Sequence, residues 1–236
     1  MTDPANDGSA LERMPVDRSM WLREELDLER DLDFIHQEFR AGFDAVARID
    51  RPAVAIFGSA RTEATHRWYL QTMEIAAGFA REGFAVVTGG GPGIMEAANR
   101  GAKEAGGLSV GFGIELPREQ HMNPWLDIGY DFKHFYARKV CFVKASEGFV
   151  ACPGGFGTND ELFEALVLVQ TAKIRHFPIV LFGSEHWTPL LTWARDQLLA
   201  EGQISPADLA LFTITDDPDT VVREVVDTYR AHGVPV

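Results

Sequence analysis

Short apolar segments alternate with longer amphipathic segments along most of the chain. Six short segments have the β-branched and aromatic content of strands: residues 53–57, 84–88, 108–114, 148–153, 178–183 and 212–215. Patterns of helical length lie near residues 64–82, 92–105, 134–146, 158–173, 186–201 and 218–231. This alternation is typical of a parallel sheet with helices on both faces, and strands that are apolar throughout fit a sheet covered on both sides. The pattern therefore predicts an α/β fold with a doubly wound parallel sheet.

The N-terminal part of the chain has a different pattern. Residues 1–17 are polar and contain two prolines, and we predict that they form a disordered tail. Residues 18–50 are predicted to form an N-terminal helical extension, because apolar residues recur there at steps of three or four. These residues are Leu28, Leu32, Ile35, Phe39, Phe43 and Val46. The apolar stripe would dock on the main domain or on another subunit, and residues 51–236 would form a Rossmann-like domain.

Charge and composition narrow the possible functions. The chain has 22 Lys and Arg against 35 Asp and Glu, a formal net charge of −13, which repels phosphodiester backbones and argues against nucleic-acid binding. Its two cysteines are too few for a disulfide framework, and no CxxC or HExxH motif indicates a metal site. No apolar run has the length of a membrane span, and the acidic N-terminal sequence does not resemble a signal peptide. A cytoplasmic protein without membrane or nucleic-acid partners is expected.

Two of the loops that follow strands contain small residues next to a predicted helix. Ligands bind such sheets beyond the carboxyl ends of the strands, so these loops are candidate binding sites. In Gly58–Arg61, small residues would let a ligand approach the backbone and Ser59 offers a hydroxyl, although a plain strand-to-helix turn explains the segment equally well. In Thr88–Ala102, three glycines precede Pro92, which is placed to open a helix whose N-terminus would bind an anion. Ile94 breaks a GxGxxG spacing, and the glycines could instead serve a tight turn.

A third glycine-rich loop, Cys152–Leu166, leads from a strand into a helix. Its glycines would leave backbone N–H groups free to bind a ligand. Thr158 and Glu161 have the spacing of a capping box, in which Thr158 is the N-cap residue. The alternative is that Glu161 lies at the floor of a cleft, where its carboxylate holds ribose hydroxyls, stabilises a cationic sugar or orients a water. Cys152 is expected to be a buried thiol at the end of a strand.

Arg138 and Lys139 are adjacent on the predicted helix 134–146. Neighbouring residues on a helix point about 100° apart, so at most one of the two readily faces the cleft.

Three segments together resemble the LOG family of cytokinin riboside 5′-monophosphate phosphoribohydrolases, once labelled lysine decarboxylase-like. They are GGGPGIMEAANRGA (89–102), ARK (137–139) and PGGFGTNDE (153–161), and the last matches every fixed position of the motif PGGxGTxxE. The resemblance covers about residues 52–230 and implies a nucleotide-binding catalytic domain. The N-terminal extension resembles the longer branch of the family, which forms larger assemblies than the dimeric short branch.

The resemblance implies hydrolysis of the N-glycosidic bond in a cytokinin nucleoside 5′-monophosphate or AMP, giving free base and ribose 5-phosphate. It makes Arg138 and Glu161 the catalytic residues. The implied substrate-binding residues are Gly58, Ser59, Gly90, Gly91, Gly93, Glu96, Lys139, Pro153, Gly154, Gly155, Gly157 and Thr158. Glu96, where many short members have a small residue, and Cys152, where an aliphatic residue is commoner, depart from the family pattern. The departure at Glu96 leaves the preferred base open.

Other functions remain to be distinguished from this hydrolase. No cofactor and no metal are expected, and the partners are a small nucleotide and further copies of the chain in a homo-oligomer. The alternative from another class is a nucleotide or molybdenum-cofactor carrier that does not hydrolyse its ligand. A pyridoxal-phosphate-dependent lysine decarboxylase is a poor match, because the chain has no recognisable Schiff-base lysine motif.

Overall fold

In the computed structural model, which describes residues 28–116 and 121–232, seven parallel strands form one sheet. They are β1 (Ala53–Phe57), β2 (Ala85–Thr88), β3 (Ser109–Ile114), β4 (Ile128–Phe132), β5 (Phe149–Ala151), β6 (Ile179–Phe182) and β7 (Thr213–Thr215). Their order is β4-β3-β2-β1-β5-β6-β7, so the chain winds from the centre to one edge and then from the centre to the other. The predicted doubly wound sheet is confirmed, and its switch point lies between β1 and β5.

Helices cover both faces of the sheet. They are α1 (Leu28–Ala47), α2 (Arg67–Arg81), α3 (Ile94–Glu104), α4 (Phe135–Ala145), α5 (Phe156–Gln170), α6 (Ser184–Trp193) and α7 (Pro218–His232). Side chains alternate along each strand, so β1 directs Val54 and Ile56 to a core with α2, α3 and α7. Its residue Phe57 belongs to the opposite core, with α1, α4, α5 and α6. None of these helices is long and apolar enough to cross a membrane.

Strand β4 is absent from the sequence-based prediction. It pairs only with β3, in the register Val110↔Ile128 to Ile114↔Phe132, and forms one edge of the sheet. Its sequence, IGYDF, buries only the first and last side chains, because one face of this edge strand meets solvent. The prediction of six strands was therefore wrong by one, because an edge strand lacks the continuous apolar run of the central strands.

Helix α1 docks on the main domain. The sequence pattern had left open whether its apolar stripe would dock there or on another subunit. Phe39 and Val46 pack against the core, and a Cβ at Gly42 would lie only 2.7 Å from the sulfur of Cys141 on α4. Glycine at this position thus permits a close crossing of α1 over α4. Leu32 remains 55% exposed. The predicted tail, residues 1–17, and the first part of the extension lie outside the described residues.

Candidate functional site

Three loops meet at the carboxyl edge of the sheet, next to the switch point. The backbone N–H of Ser59 donates to the carbonyl of Pro153 at 3.0 Å, and the carbonyl of Ser59 accepts from the N–H of Ile94 at 3.0 Å. A Cβ at Gly58 would lie 2.3 Å from a methyl carbon of Ile94. The small residues of the first loop are therefore needed for contact with the other two loops, and ligand contacts by Gly58 and Ser59 stay a prediction.

The glycine loop after β2 presents backbone donors to the site. Gly90 and Gly93 have positive φ angles of 70° and 68°, a conformation that favours glycine. The N–H groups of Gly91 and Gly93 donate to no acceptor within residues 28–116 and 121–232. Helix α3 begins at Ile94 with Gly93 as its N-cap, two residues later than predicted. The free donors lie at the positive end of a helix dipole, which suits an anionic ligand.

A buried pair of asparagines fixes this loop, and the sequence analysis missed both. The side-chain amide of Asn123 donates to the carbonyls of Gly90 and Gly91 at 3.1 and 3.0 Å. It also donates to Asn99 Oδ1 at 2.9 Å, which accepts from the Thr88 hydroxyl at 2.6 Å. Because the loop carbonyls are held by the protein, its N–H groups are left for a ligand. The only signal in the sequence is a polar residue, Asn99, among the alanines of the buried face of α3.

Helix α5 begins earlier than the capping-box interpretation requires. Its N-cap is Gly155 and its first residue is Phe156, so Thr158 lies in the first turn and Glu161 in the second. The capping box was therefore wrong. Within the part of the chain that the structure describes, the N–H groups of Gly155, Phe156 and Gly157 have no protein acceptor. A Cβ at Gly155 or Gly157 would meet open space, so these donors face an accessible region.

Glu161 is a buried carboxyl group beside these donors. It is only 5% exposed, and burial raises its pKa from 4.5 to about 7, against the opposing effect of the Arg138 and Lys139 charges. A carboxyl that titrates near neutral pH in a cleft is typical of catalytic sites.

Arg138 faces the site from α4. Its Nε donates to the carbonyl of Phe112 at 2.8 Å, and its guanidinium lies over the ring of Phe142 at 5.1 Å. A Cβ at Gly89 would lie 2.4 Å from Nη2, so the glycine loop accommodates the guanidinium. Burial lowers the pKa of Arg138, while the charge of Glu161 raises it. Arginine nevertheless stays protonated in proteins, so the site holds a buried cation near a buried carboxyl.

The structure brings Arg138, Glu161 and the glycine loops together, and it pairs two other predicted residues, Lys139 and Glu96, with protein side chains, so their ligand contacts stay a prediction. Lys139 pairs with Asp160 at 2.9 Å and with Glu164 at 3.2 Å, both on α5. Burial alone would lower the pKa of Lys139, but these carboxylates hold it above its ordinary value. Glu96 accepts a hydrogen bond from Tyr69 on α2 at 3.2 Å. Both residues thus make contacts between helices.

A pocket lies between the β2 loop and Arg138. Besides Gly89, Gly90 and Gly91, it is lined by Met95, Met122 and Asp131. Asp131 is at the end of β4 and was missed together with that strand. No group of three or more potential metal ligands occurs among the described residues. The site combines neutral N–H donors, the Arg138 cation, the carboxyls of Glu161 and Asp131 and an apolar side, an arrangement that fits a small molecule with an anionic group and a ring to bury.

Comparison with known proteins identifies relatives of this chain. A family model described as "Possible lysine decarboxylase" matches residues 95–225. A cytokinin riboside 5′-monophosphate phosphoribohydrolase from Mycobacterium tuberculosis is 29% identical over 166 residues, 67% of this chain and 86% of that protein. A "Probable cytokinin riboside 5′-monophosphate phosphoribohydrolase" from Oryza sativa is 29% identical over 146 residues, 59% of this chain and only 57% of the rice protein.

Solved structures share the fold. The molybdenum cofactor carrier protein from Chlamydomonas reinhardtii is 25% identical, with a TM-score of 0.55, over 76% of this chain and 99% of that one. The molybdenum cofactor binding protein from Rippkaea orientalis is also 25% identical, with a TM-score of 0.54, over 74% of this chain and 95% of that one.

Proposed function

The chain belongs to the LOG family, whose model is described as possible lysine decarboxylase, and from its site we propose that it hydrolyses a nucleoside 5′-monophosphate at the N-glycosidic bond. One observation carries this proposal: Glu161 is buried, its pKa responds to the charge of Arg138, and it lies one helical turn after Gly157, whose N–H is free among the described residues. The names of the relatives support a phosphoribohydrolase, and the residue chemistry supports the bond that is cleaved.

Glu161 has the properties that this bond cleavage needs. When the C1′–N bond breaks, its electron pair leaves with the base and positive charge develops on the ribose ring. An ionised carboxylate in a buried site stabilises that charge. Water then adds to C1′ and loses a proton, and the base gains one, which gives free base and ribose 5-phosphate. Arg138 is a hydrogen-bond donor that holds the substrate or the leaving base. The reaction requires no metal or cofactor.

The free backbone donors would bind the 5′-phosphate. The N–H groups of Gly155, Phe156 and Gly157, with those of Gly91 and Gly93, lie at the N-termini of two helices. N–H groups at helix N-termini bind anions through hydrogen bonds and the helix dipole, so they can bind phosphate without further cations, even in a protein of net charge −13. Binding energy gained at the phosphate positions the sugar beside Glu161.

The apolar side of the pocket would receive the base. Met95 and Met122 are adaptable apolar side chains, so AMP and N6-prenylated AMP are both proposed as substrates. The test is to incubate the protein with each nucleotide and to separate the products by chromatography. Release of free base with an equal amount of ribose 5-phosphate supports the proposal, and the ratio of rates ranks the substrates.

A matched pair of variants tests the role of Glu161. Glu161→Gln removes the buried carboxylate and should abolish turnover while nucleotide binding persists. Glu164→Gln removes a carboxylate three residues later that pairs with Lys139, and should leave turnover nearly unchanged. Equal activity of both variants would contradict a catalytic Glu161.

A carrier function is the second candidate, favoured by the likeness to the two molybdenum cofactor proteins at 25% identity. Calorimetric binding of a nucleotide that stays intact during long incubation would support the carrier and exclude the hydrolase.

We also propose that the chain forms a homo-oligomer through α4 and α5. Their outer surfaces carry large exposed apolar side chains: Phe135, Tyr136, Val140, Phe156, Phe163 and Val167. Phe156 is 96% exposed at the start of α5, so a second copy seated there would border the site. Light scattering after gel filtration should give a mass above that of the 26.2 kDa monomer, and Val167→Asp should lower it. A monomeric wild-type protein would contradict the proposal.

We also propose that the protein is cytoplasmic. Cell fractionation that found it elsewhere would contradict this.

A further inference from the structure

A carboxylate from α1 binds the two backbone N–H groups that immediately precede α4. The backbone N–H groups of Lys133 and His134 both donate to Glu38 Oε1, the latter at 3.2 Å. His134 Nδ1 lies 2.5 Å from Glu38 Oε2. Both side chains are 4% exposed. His134 is the N-cap residue of α4, but within the described chain its own side chain caps no N–H group. The first turn of α4 also contains no acidic residue. Glu38 therefore supplies the negative charge that the helix N-terminus favours.

The ring of His134 is held on several sides. It stacks on Tyr136 at 4.9 Å between ring centroids, and the edge of Phe34 meets it at 5.9 Å. Its Nε2 is buried and has no hydrogen-bond partner within the described residues. An apolar side chain would fill the same space without burying an unpaired nitrogen, which destabilises the fold. The contact between His134 and Glu38 must offset that cost.

The capped turn leads directly to Arg138. The backbone N–H of Arg138 donates to the carbonyl of His134 at 3.2 Å, so the two residues are one helical turn apart. Rotation or fraying of this first turn would displace the guanidinium from the carbonyl of Phe112 and from the ring of Phe142. The close crossing at Gly42 holds α1 against the same helix further along.

We propose that Glu38 is a positioning residue for the site, acting through the first turn of α4 on the guanidinium of Arg138. The expected effect of Glu38 on turnover rests on the proposed function. Its expected effect on the orientation of Arg138 does not. It makes α1 necessary for the geometry of the site, because the residue that orients Arg138 comes from a helix that precedes the first strand of the sheet.

The test compares three variants of the full chain. Glu38→Ala removes all of the contacts to the α4 N-terminus, whereas Glu38→Gln keeps an oxygen that can accept the two backbone N–H groups. Asp44→Asn is the matched control, because it removes one exposed carboxylate from the same helix. We expect kcat to fall about tenfold or more in Glu38→Ala, because displacement of a catalytic group by about 1 Å costs up to roughly 100-fold. KM should change little, Glu38→Gln should restore much of kcat, and Asp44→Asn should match the wild type.

A second measurement does not depend on turnover. Phenylglyoxal modifies accessible guanidinium groups, and peptide mass spectrometry gives its rate at Arg138. This rate should rise severalfold in Glu38→Ala below its melting temperature and stay unchanged in Asp44→Asn. A variant that only loses stability would keep the wild-type kcat and modification rate while folded, and that result would overturn the proposal. If the wild type released no base, the proposed function would fail, while the modification rates would still decide the role of Glu38.

Discussion

Replacing Glu161 with glutamine should stabilise the folded protein above pH 7 while it removes turnover. In the fold the pKa of Glu161 is about 7, raised from 4.5 mainly by burial. Between those two pH values the folded protein keeps a proton that the unfolded chain has released. The free energy of unfolding therefore decreases as pH rises through this window, and the loss is complete above about pH 7.

The size of the effect follows from the two pKa values. They differ by about 2.5, and one pKa unit corresponds to about 1.4 kcal/mol, so the ionised carboxylate costs the fold roughly 3 kcal/mol. Glutamine has the same shape and no charge. The pKa of about 7 already contains the attraction of Arg138, so the remaining offset is the hydrogen bonding that the buried amide needs, and we expect a net gain of about 1–2 kcal/mol. For a domain of this size that is a rise in Tm of about 3–6 °C.

The assay is thermal unfolding of the wild type, Glu161→Gln and Glu164→Gln at pH 5 and pH 8, with turnover measured on the same samples. Glu161→Gln should melt above the wild type at pH 8 and together with it at pH 5. Glu164→Gln should show no such gain, because it loses ion pairing with Lys139. A Tm for Glu161→Gln that is lower at pH 8, with turnover retained, would refute the reasoning and assign Glu161 a structural role.

Three further outcomes are expected. The kcat/KM of the wild type should rise with pH through about 7 as Glu161 ionises, and a decrease across that range would mean that the protonated form is required. Gly93→Ala should lower Tm more than Gly106→Ala. Both glycines have positive φ, but only at Gly93 would the added Cβ clash, at 2.4 Å from the Ser59 carbonyl oxygen. Equal losses of Tm in calorimetry would contradict the close packing of the loops. Asn123→Ala should weaken nucleotide binding by roughly 1–3 kcal/mol in titration calorimetry, since it leaves the Gly91 carbonyl unpaired and holds Gly90 by the backbone N–H of residue 123 alone.

The sequence was sufficient for those parts of the fold that repeat a simple pattern. Central strands such as β1 are buried throughout, so their apolar runs stand out. Strand β4 shows only two buried positions out of five, and its apolar residues alternate with Gly129 and Asp131 instead of forming a continuous run. With β4, the sequence analysis also lost Asp131, whose place in the pocket depends on that strand.

The site was only partly predictable for a related reason. Arg138 and Glu161 came from motif resemblance, whereas Asn123 is tied to the site by hydrogen bonds to residues more than 20 positions earlier in the chain. Such contacts leave no periodicity to detect. The capping box failed because α5 begins at Phe156, and a spacing of three residues fits many positions near the start of a helix.

The contact between Glu38 and His134 also sets an order on biosynthesis. The two residues are 96 positions apart, so a ribosome that adds about 5–20 residues per second releases α1 roughly 5–20 s before its docking partner. During that interval the apolar stripe of α1 lacks the α4 surface on which it docks, while the charged residues between its apolar positions favour exposure to water. Arg138 reaches its final orientation only when this early segment folds back onto a late one.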